Sequence, residues 1–501
     1  METWVVLLTI LVGAAIYWFS TRNFNFFKDL GIPYVKPWPI FGNMGKMFFR
    51  IEAMPYMIQE VYKSHPDAKY IGFFDFSTPI IMIRDPELIK QITIKDFDSF
   101  PNHRMFITSP NEPLFEKNLF ALKDDEWREM RALLSPAFTS SKMKMMFEVV
   151  SRCAIDFTDY LAAQDPQPEE LNMKETFSRY TLDVIATTAF GLSTNSMRDR
   201  DNEFYKIGKE VSNFTGLKLL KFFVMRSFPW LAKLVNVKIL DGKSSDYFTN
   251  VIKSTIETRE REGIVRPDMI HLMMQGRDRK GKSALSLESM TAQAFIFLLG
   301  GLESPAVTMS FVSQHLALNS NVQKKLQAEI DETMKKSRGQ VSYEEINAMK
   351  YLDAVVNETL RMYTPGVMLD RIGSRGFTLP PALPGLDPLH MKPFQNVWIP
   401  VHSLHHDDKY YSNPDQFDPE RFNDENKDKI DPLTYLPFGI GPRICIANRF
   451  ALMVVKLALF YLLAKCDVLP CSKTKPKIRI CAKSASLTPE GGFWLKLQTR
   501  K

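Results

Sequence analysis

Apolar residues recur at helical spacing along most of this 501-residue chain, from about residue 45 onward. An apolar residue at every third or fourth position is typical of a helix with one buried face. The pattern predicts helices at 124–134, 172–190, 243–262, 289–318, 321–336, 343–363 and 447–465. Alternating patterns predict short strands near 69–83, 396–400 and 476–498. We therefore predict a mainly α-helical body with small β-sheets.

The N-terminal run Thr3–Thr21 holds no charged residue over 19 positions, close to the roughly 20 residues that span a bilayer. Basic residues, beginning with Arg22, follow the run, so the positive-inside rule places the body on the cytosolic side. The alternative is a cleaved signal peptide, which needs a basic segment before the run. Because the acid Glu2 stands there instead, we predict an uncleaved anchor over residues 1–21.

A proline-rich segment, residues 22–44, follows the predicted anchor. Pro33, Pro37 and Pro39 favour an extended, stiff backbone, which suits a spacer between a membrane and a folded body. No long linker interrupts the remainder, so residues 45–501 are predicted to form one domain.

The segment Val211–Leu240 contains no acidic residue, but it mixes five cations with phenylalanines and Trp230. Apolar bulk combined with cations suits a membrane interface. A pair of buried helices whose lysines extend to solvent fits the same pattern, and the two interpretations can both hold.

Charge and cysteine content narrow the function. The chain has 64 basic and 57 acidic residues, a net charge of +7. No dense Lys/Arg block with interleaved aromatics is present, which argues against nucleic-acid binding, while a mildly basic surface suits an acidic partner or an anionic membrane. Five cysteines without a Cys-x-x-Cys pair argue against a disulfide framework or a zinc site.

The most specific motif is the segment Pro437–Ala451, in which a glycine-containing loop leads into an apolar helix. Cys445 lies where the loop meets the helix, and the N–H donors of a helix start favour a thiolate. The spacing Phe-x-x-Gly-x-Arg-x-Cys, at Phe438, Gly441, Arg443 and Cys445, resembles the signature of the cytochrome P450 haem-thiolate monooxygenases.

This resemblance implies a cytochrome P450 fold with an N-terminal transmembrane anchor and haem b as the cofactor. Cys445 would be the axial ligand of the haem iron, and Ala447 stands where the family most often has glycine. The other residues that the resemblance assigns to haem binding are Trp127, Arg131, Arg371, Phe438, Arg443 and, as a weaker candidate, Arg104.

Two further family markers appear in order along the chain. "NETLR" supplies Glu358 and Arg361, three positions apart on one helix face, and "FDPERF" supplies Arg421. The resemblance implies that these three form a buried structural triad. His405 and His406, in "LHHDDKYY", look superficially like metal ligands, but we interpret them as part of a polar loop.

The stretch "GGLESPAVT" lies within the long apolar helix predicted over 289–318. In the family this position is Ala/Gly-Gly-x-acid-Thr, on the helix over the distal face of the haem. Glu303 and Ser304 would therefore deliver protons during O2 activation, and the glycines would leave room near the iron. Ser304 replaces the usual threonine, and Pro305 has no N–H to donate, so a local distortion of the helix is expected.

The resemblance implies insertion of one oxygen atom from O2 into a lipophilic substrate. Electrons would come from NADPH through NADPH–cytochrome P450 reductase in the endoplasmic reticulum membrane, with cytochrome b5 as a further candidate partner. Several segments resemble insect detoxification enzymes of families six and nine. By family position, the candidate pocket residues are Phe106, Ile296, Leu299, Gly300, Val367, Leu369 and Leu487.

Two other functions remain open at this point. Some haem-thiolate relatives are isomerases or dehydratases that use neither O2 nor a reductase, and a non-catalytic haem-binding membrane protein is the second alternative. The sequence does not name the substrate, because a shared fold does not determine one.

Overall fold

In the computed structural model, residues 2–104, 112–213, 216–266, 268–277, 285–484 and 486–500 are described. Helices dominate, as predicted. Their bounds are α1 Glu2–Thr21, α2 Phe26–Asp29, α3 Gly45–Phe48, α4 Met54–Lys63, α5 Pro86–Lys90, α6 Pro113–Glu116, α7 Asp124–Leu134, α8 Ser140–Ala162, α9 Met173–Ala189, α10 Glu203–Ser212, α11 Leu217–Ser227, α12 Pro229–Leu234, α13 Gly242–Glu262, α14 Met269–Arg277, α15 Leu287–Leu318, α16 Ser320–Lys336, α17 Tyr343–Ala348, α18 Lys350–Met362, α19 Val401–His405 and α20 Asn448–Lys465.

The strands form small sheets. Their bounds are β1 Tyr70–Asp75, β2 Thr78–Ile83, β3 Leu171–Asn172, β4 Leu369–Ile372, β5 Phe377–Leu379, β6 Leu389–Met391, β7 Asn396–Ile399, β8 Cys466–Pro470 and β9 Trp494–Thr499. One sheet has the order β1-β2-β7-β4, a second β3-β9-β8, and β5 pairs with β6. The mainly α-helical fold with small sheets is therefore confirmed.

Two differences from the predicted elements concern helices. The helix predicted over 343–363 is two helices, α17 and α18, because Met349 between them is extended, with φ −71° and ψ 105°. The 23-residue α8 was not predicted, although its buried residues, among them Phe147, Val150, Phe157 and Leu161, recur at helical spacing.

Two apolar clusters organise the body. The larger one joins α8, α9, α15, α18 and α20, and the smaller one surrounds the four-stranded sheet. Helix α15 crosses the larger cluster over 32 residues, or about 48 Å at 1.5 Å per residue. Residues of α15, of β4 and of the loop that contains Cys445 surround one internal space.

Helices α1 and α15 are both long and apolar enough to cross a bilayer. They differ in burial, since only 6% of the apolar window of α1 is buried, against 61% for α15. Helix α15 is apolar because it is a core helix, whereas α1 presents bare apolar side chains, which is consistent with a membrane anchor.

Candidate active site

Two glycines in the left-handed region shape the loop that presents Cys445. Gly439 has φ +78° and Gly441 has φ +73°. A Cβ at Gly441 would collide with the carbonyl oxygen of Thr93, so this close approach requires glycine. The backbone N–H of Cys445 donates to the carbonyl of Phe438 at 2.9 Å. The loop is thereby closed, and the thiol lies just before α20.

A cavity of about 500 Å³ is enclosed by the Cys445 loop, α15 and neighbouring elements. The exposed surface of Cys445 opens into this cavity. Burial raises the pKa of the Cys445 thiol, while the backbone N–H of Ala447 and the charge of Arg131 act to lower it. On the α15 side, the hydroxyl-bearing residues Ser304 and Thr308 line the same space.

Five of the six residues predicted to bind a cofactor line this cavity, namely Trp127, Arg131, Arg371, Phe438 and Arg443. The guanidinium carbon of Arg443 lies 4.1 Å from the ring centroid of Trp127. Arg443 also donates to two backbone carbonyls at 2.8 and 2.9 Å, so its position is fixed by the loops that precede α7.

The three guanidinium groups have little anionic compensation. Arg371 is only 1% exposed, its Nη1 donates to its neighbour's carbonyl at 2.7 Å, and its Nε is buried without a partner. Burial lowers the pKa of Arg371 to about 10, that of Arg443 to about 9, and that of Arg131 as well. Asp370 acts on Arg371 and Arg443 electrostatically, but no carboxylate among the described residues forms an ion pair with any of the three arginines. Cations withdrawn from water without an ion-pair partner are unfavourable, so this wall of the cavity suits an anionic group.

Helix α15 stays continuous through Pro305, although that residue cannot donate to the carbonyl of Gly301. The carbonyl of Ser304 accepts from the Thr308 hydroxyl at 2.9 Å. Both glycines were predicted to leave room near the iron, and only Gly300 fits that description, since a Cβ there would meet nothing within 4 Å. A Cβ at Gly301 would collide with Ile185 of α9, so Gly301 permits close helix packing instead.

Glu303 lies outside the cavity lining. Its carboxylate is 3.2 Å from Nζ of Lys174 in the first turn of α9, and its side chain is 34% exposed. The Lys174 ammonium also donates to the hydroxyls of Ser486 and Thr488, at 2.7 and 3.4 Å. The acid of the predicted pair therefore belongs to a polar cluster on the side of α15 away from the cavity, whereas Ser304 lines the cavity.

Glu358, Arg361 and Arg421 come together as the triad motif predicts. Arg361 donates from Nε and Nη2 to the two carboxylate oxygens of Glu358, at 2.7 and 2.9 Å, and both side chains are fully buried. Arg421 approaches the same carboxylate at 3.3 Å. The paired charges are satisfied, which is what makes their burial tolerable.

The histidines of "LHHDDKYY" do not lie in a polar loop, and that interpretation was wrong. His405 ends the buried helix α19, where Nδ1 lies 2.9 Å from the carbonyl of Arg361 and Nε2 accepts from the backbone N–H of Leu436 at 2.9 Å. His406 is buried as well. Within the described ranges, no group of three His, Cys, Asp or Glu residues could hold a metal ion.

The predicted pocket residues divide into three groups. Ile296, Gly300 and Leu369 line the cavity. Leu299, Val367 and Leu487 do not, and pack against the apolar clusters instead. Phe106 lies outside the residues that the structure describes.

Arg104 was proposed for the cavity wall, and the structure removes it from that set. Its guanidinium pairs with Asp75 at 2.7 Å and donates to Thr78 at 3.0 Å, so it is engaged elsewhere. The preceding residue, His103, lines the cavity in its place, as does Phe120. His103 was not predicted, because neighbouring side chains on extended backbone point to opposite sides and the sequence does not say which side faces inward. Phe120 was not predicted because it belongs to none of the sequence motifs.

The comparison with protein families decides the identity. A model of the family described as Cytochrome P450 matches residues 32–497, nearly the whole chain. The chain is a cytochrome P450. The predicted family and fold are confirmed, and this P450 is a haem-dependent monooxygenase that needs a redox partner and acts on lipophilic molecules.

Several insect P450s are similar over almost their full lengths. Cytochrome P450 9e2 of Blattella germanica is 42% identical, covering 99% of this chain and 97% of the relative. Probable cytochrome P450 9f2 of Drosophila melanogaster is 41% identical, covering 98% of each. Cytochrome P450 6j1 of Blattella germanica is 32% identical, covering 98% and 97%. The predicted likeness to families six and nine is confirmed.

The residues around the cavity fit the haem that the family requires. Cys445 opens into the cavity, and the cation group of Arg131, Arg371 and Arg443 lacks carboxylate partners among the described residues. The buried, unpartnered Nε of Arg371 is the most specific observation, because a carboxylate there would complete its hydrogen bonding.

Proposed function

We propose that this P450 is a membrane-bound monooxygenase that oxidises lipophilic xenobiotic or endogenous molecules with electrons from NADPH, delivered by a membrane-bound reductase. The observation that carries this proposal is the cavity itself. Cys445 opens into it beside the cation group, and α15 contributes the Ser304 hydroxyl to the same space. A thiol, three cations and a hydroxyl around one cavity are the groups that haem-thiolate oxidation needs.

Haem, when bound, supplies reductive activation of O2, which a thiolate ligand promotes by donating electron density. In the proposed assignment Cys445 holds the iron. Trp127 and the cation group of Arg131, Arg371 and Arg443 would hold the carboxylates, and Phe438 would contact the haem from the Cys445 loop. The Glu358–Arg361–Arg421 triad fixes α18 to the loops that lead to Cys445.

Proton delivery is divided between two sides of α15. The Ser304 hydroxyl can both donate and accept within the cavity. The Glu303 carboxylate, which can accept a proton, lies on the outer side of the helix. There it belongs to a polar cluster with Lys174 and the hydroxyls of Ser486 and Thr488. We propose that protons enter through this cluster and reach the cavity at Ser304 Oγ.

The cavity walls formed by α15 and β4 set the shape that a substrate must match. Ile296 and Leu369 contribute apolar surface, and Gly300 leaves open space between them. The haem would occupy the part of the cavity next to Cys445 and the cation group, and the mostly apolar remainder suits lipophilic molecules. It discriminates among them by shape rather than by charge.

We further propose that residues 1–21 anchor the protein in the endoplasmic reticulum membrane, that 22–44 act as a spacer, and that 45–501 form the haem-binding monooxygenase domain on the cytosolic side. The bare apolar surface of α1 supports the anchor. The net charge of +7 suits an acidic partner, which we propose to be NADPH–cytochrome P450 reductase, with cytochrome b5 as a second partner.

The test is turnover by the purified holoenzyme with reductase, NADPH and a panel of lipophilic compounds. We expect products that gain one oxygen atom from isotopically labelled O2, and no product without NADPH. Conversion without NADPH or O2 would instead indicate an isomerase or dehydratase. Absence of any product, together with loss of the thiolate band of the reduced carbon monoxide complex, would indicate a non-catalytic haem-binding protein.

A further inference from the structure

His103 is a buried histidine on the same cavity wall as the cation group. Its Nδ1 lies 2.9 Å from one carboxylate oxygen of Asp370, and its ring stacks on Phe120 with centroids 4.4 Å apart. The other oxygen of Asp370 accepts the backbone N–H of Arg104 at 2.5 Å. The imidazole is therefore held from one side, with its ring against the cavity.

The Asp370 carboxylate determines which nitrogen of His103 carries the first proton. Burial raises the pKa of Asp370, but His103, the Arg104 N–H and Arg371 outweigh it, so the pKa is lowered and the group is an acceptor only. Nδ1 of His103 must then be the donor. Nε2, which makes no hydrogen bond with the described residues, is a bare acceptor while the ring is neutral and becomes a donor when the ring is protonated.

The charged groups that face His103 come from three elements. Asp370 and Arg371 lie on β4, Arg443 lies on the Cys445 loop, and Arg104 is its chain neighbour. Burial lowers the pKa of His103 most strongly, Asp370 raises it, and Arg371 and Arg443 lower it. Without an anion in the cavity, the ring is therefore neutral at physiological pH.

A carboxylate placed against this wall changes that balance. A neutral His103 would present a lone pair to an anion, which is repulsive, whereas a protonated ring would donate to it from Nε2. The anion also offsets the repulsion from Arg371 and Arg443. Binding an anion and binding a proton at His103 are consequently coupled.

We propose that His103 is an additional haem-carboxylate partner, positioned by Asp370, which donates from Nε2 when protonated and so makes the charge around the haem depend on pH. This inference rests on the proposal that Arg131, Arg371 and Arg443 hold the haem carboxylates. His103 is a positioning residue for the cofactor, and its charge titrates at lower pH than the charges of the three arginines.

The reduction potential of the haem reports this charge directly, because a nearby positive charge favours the reduced form. It can be measured by spectroelectrochemistry between pH 6 and 9, on purified holoenzyme without substrate or reductase. The variants are His103→Arg, which keeps a permanent cation, and His103→Gln, which is never charged. His390→Gln, at an exposed histidine of β6, is the matched control.

We expect the potential of the wild type to move with pH between the values of the two variants. It should approach that of His103→Arg at low pH and that of His103→Gln at high pH. The control should follow the wild type. Asp370→Asn should move the transition to lower pH, because it removes the anion that favours the protonated ring.

The proposal is overturned if the wild type and His103→Gln have parallel pH profiles, or if His103→Arg titrates as the wild type does. The thiolate band of the reduced carbon monoxide complex checks that each variant is folded and loaded. If His103→Gln does not load haem, the comparison of wild type with His103→Arg still decides the question. Failure of turnover with reductase would leave these potentials unaffected, so the two proposals fail separately.

Discussion

At the scale of single residues, the cavity is defined by which side chain faces inward. The sequence marks Cys445, Arg371 and Arg443 through their motifs, and the structure places all three around one space. At one position the structure replaces the predicted residue by its chain neighbour. Arg104 pairs with Asp75, and His103 lines the cavity instead. A motif therefore identifies a neighbourhood more securely than it identifies the residue that acts there.

Ser304 is the residue at which this chain departs from its family's proton-delivery pattern. We expect Ser304→Ala to lower product formed per NADPH by roughly a hundredfold, the low end of what a positioned proton donor contributes. Ser304→Thr should keep coupling close to that of the wild type, because it retains the hydroxyl. The measurement is NADPH consumed against product formed with purified reductase.

Ser310→Ala is the matched control for this series. Ser310 lies on the same helix and its hydroxyl is bonded to the carbonyl of Ala306 at 2.6 Å, but it does not line the cavity. It should leave coupling unchanged. Equal coupling in the wild type, Ser304→Ala and Ser304→Thr would remove Ser304 from proton delivery.

At the scale of elements, α15 shows how a helix can contain poor helix formers and remain continuous. The packing of its 32 residues against α9 and the core holds it through Pro305. Leu302 is secured from outside the helix, since the Thr181 hydroxyl of α9 donates to its carbonyl at 3.0 Å. Tertiary contacts thus stabilise a segment that local propensity would break.

The two glycines of α15 should respond in opposite ways to alanine. Gly301→Ala places a Cβ against Ile185, and we expect it to destabilise the protein by about 1–3 kcal/mol, as overpacking does. Gly300→Ala meets no atom within 4 Å, and we expect a small gain in stability of about 0.5–1 kcal/mol from helix propensity. Equilibrium unfolding of the haem-loaded protein in urea measures both changes in free energy.

A double-mutant cycle identifies the cause. Ile185→Val removes Cδ1, the nearer of the two Ile185 atoms that the new Cβ would strike, so Gly301→Ala should cost less in the Ile185→Val background than alone. Additive effects of the two substitutions would show that α9 does not press on Gly301.

At the scale of the whole molecule, exposed apolar side chains concentrate on α1, α11 and α12. Leu217, Trp230 and Leu234 are 75%, 59% and 74% exposed. Phe19 near the end of α1 stacks on Phe228, with centroids 6.1 Å apart, which brings α1 to the junction of α11 and α12. Both interpretations of the acid-free segment find support, since Met225 and Ala232 of the same helices are buried.

We expect a second membrane contact to persist after the anchor is removed. The chain without residues 2–21 should still sediment partly with phospholipid vesicles. Adding Trp230→Ser and Leu234→Ser should lower its vesicle partition coefficient by at least roughly tenfold, because each buried apolar side chain is worth about 1.5–3 kcal/mol. Vesicle sedimentation at fixed lipid concentration is the measurement.

Val265→Ser is the control for this experiment, because Val265 is 75% exposed but lies outside these helices. It should leave the partition coefficient unchanged. If the shortened chain stays entirely in the supernatant before any substitution, α11 and α12 have no membrane role of their own.

The sequence by itself determined the family, the helical class and the bare apolar helix at the N-terminus. It also determined that Cys445 lies where the glycine-containing loop of the family motif meets a helix. These follow from local patterns, since periodicity sets secondary structure and the Cys445 loop carries its own glycines. Only the tertiary structure decided that His103 replaces Arg104 at the cavity wall, that Glu303 faces Lys174 while Ser304 lines the cavity, and that His405 is buried. Each of these depends on the direction of a side chain relative to distant parts of the chain, which long-range packing fixes and local sequence does not.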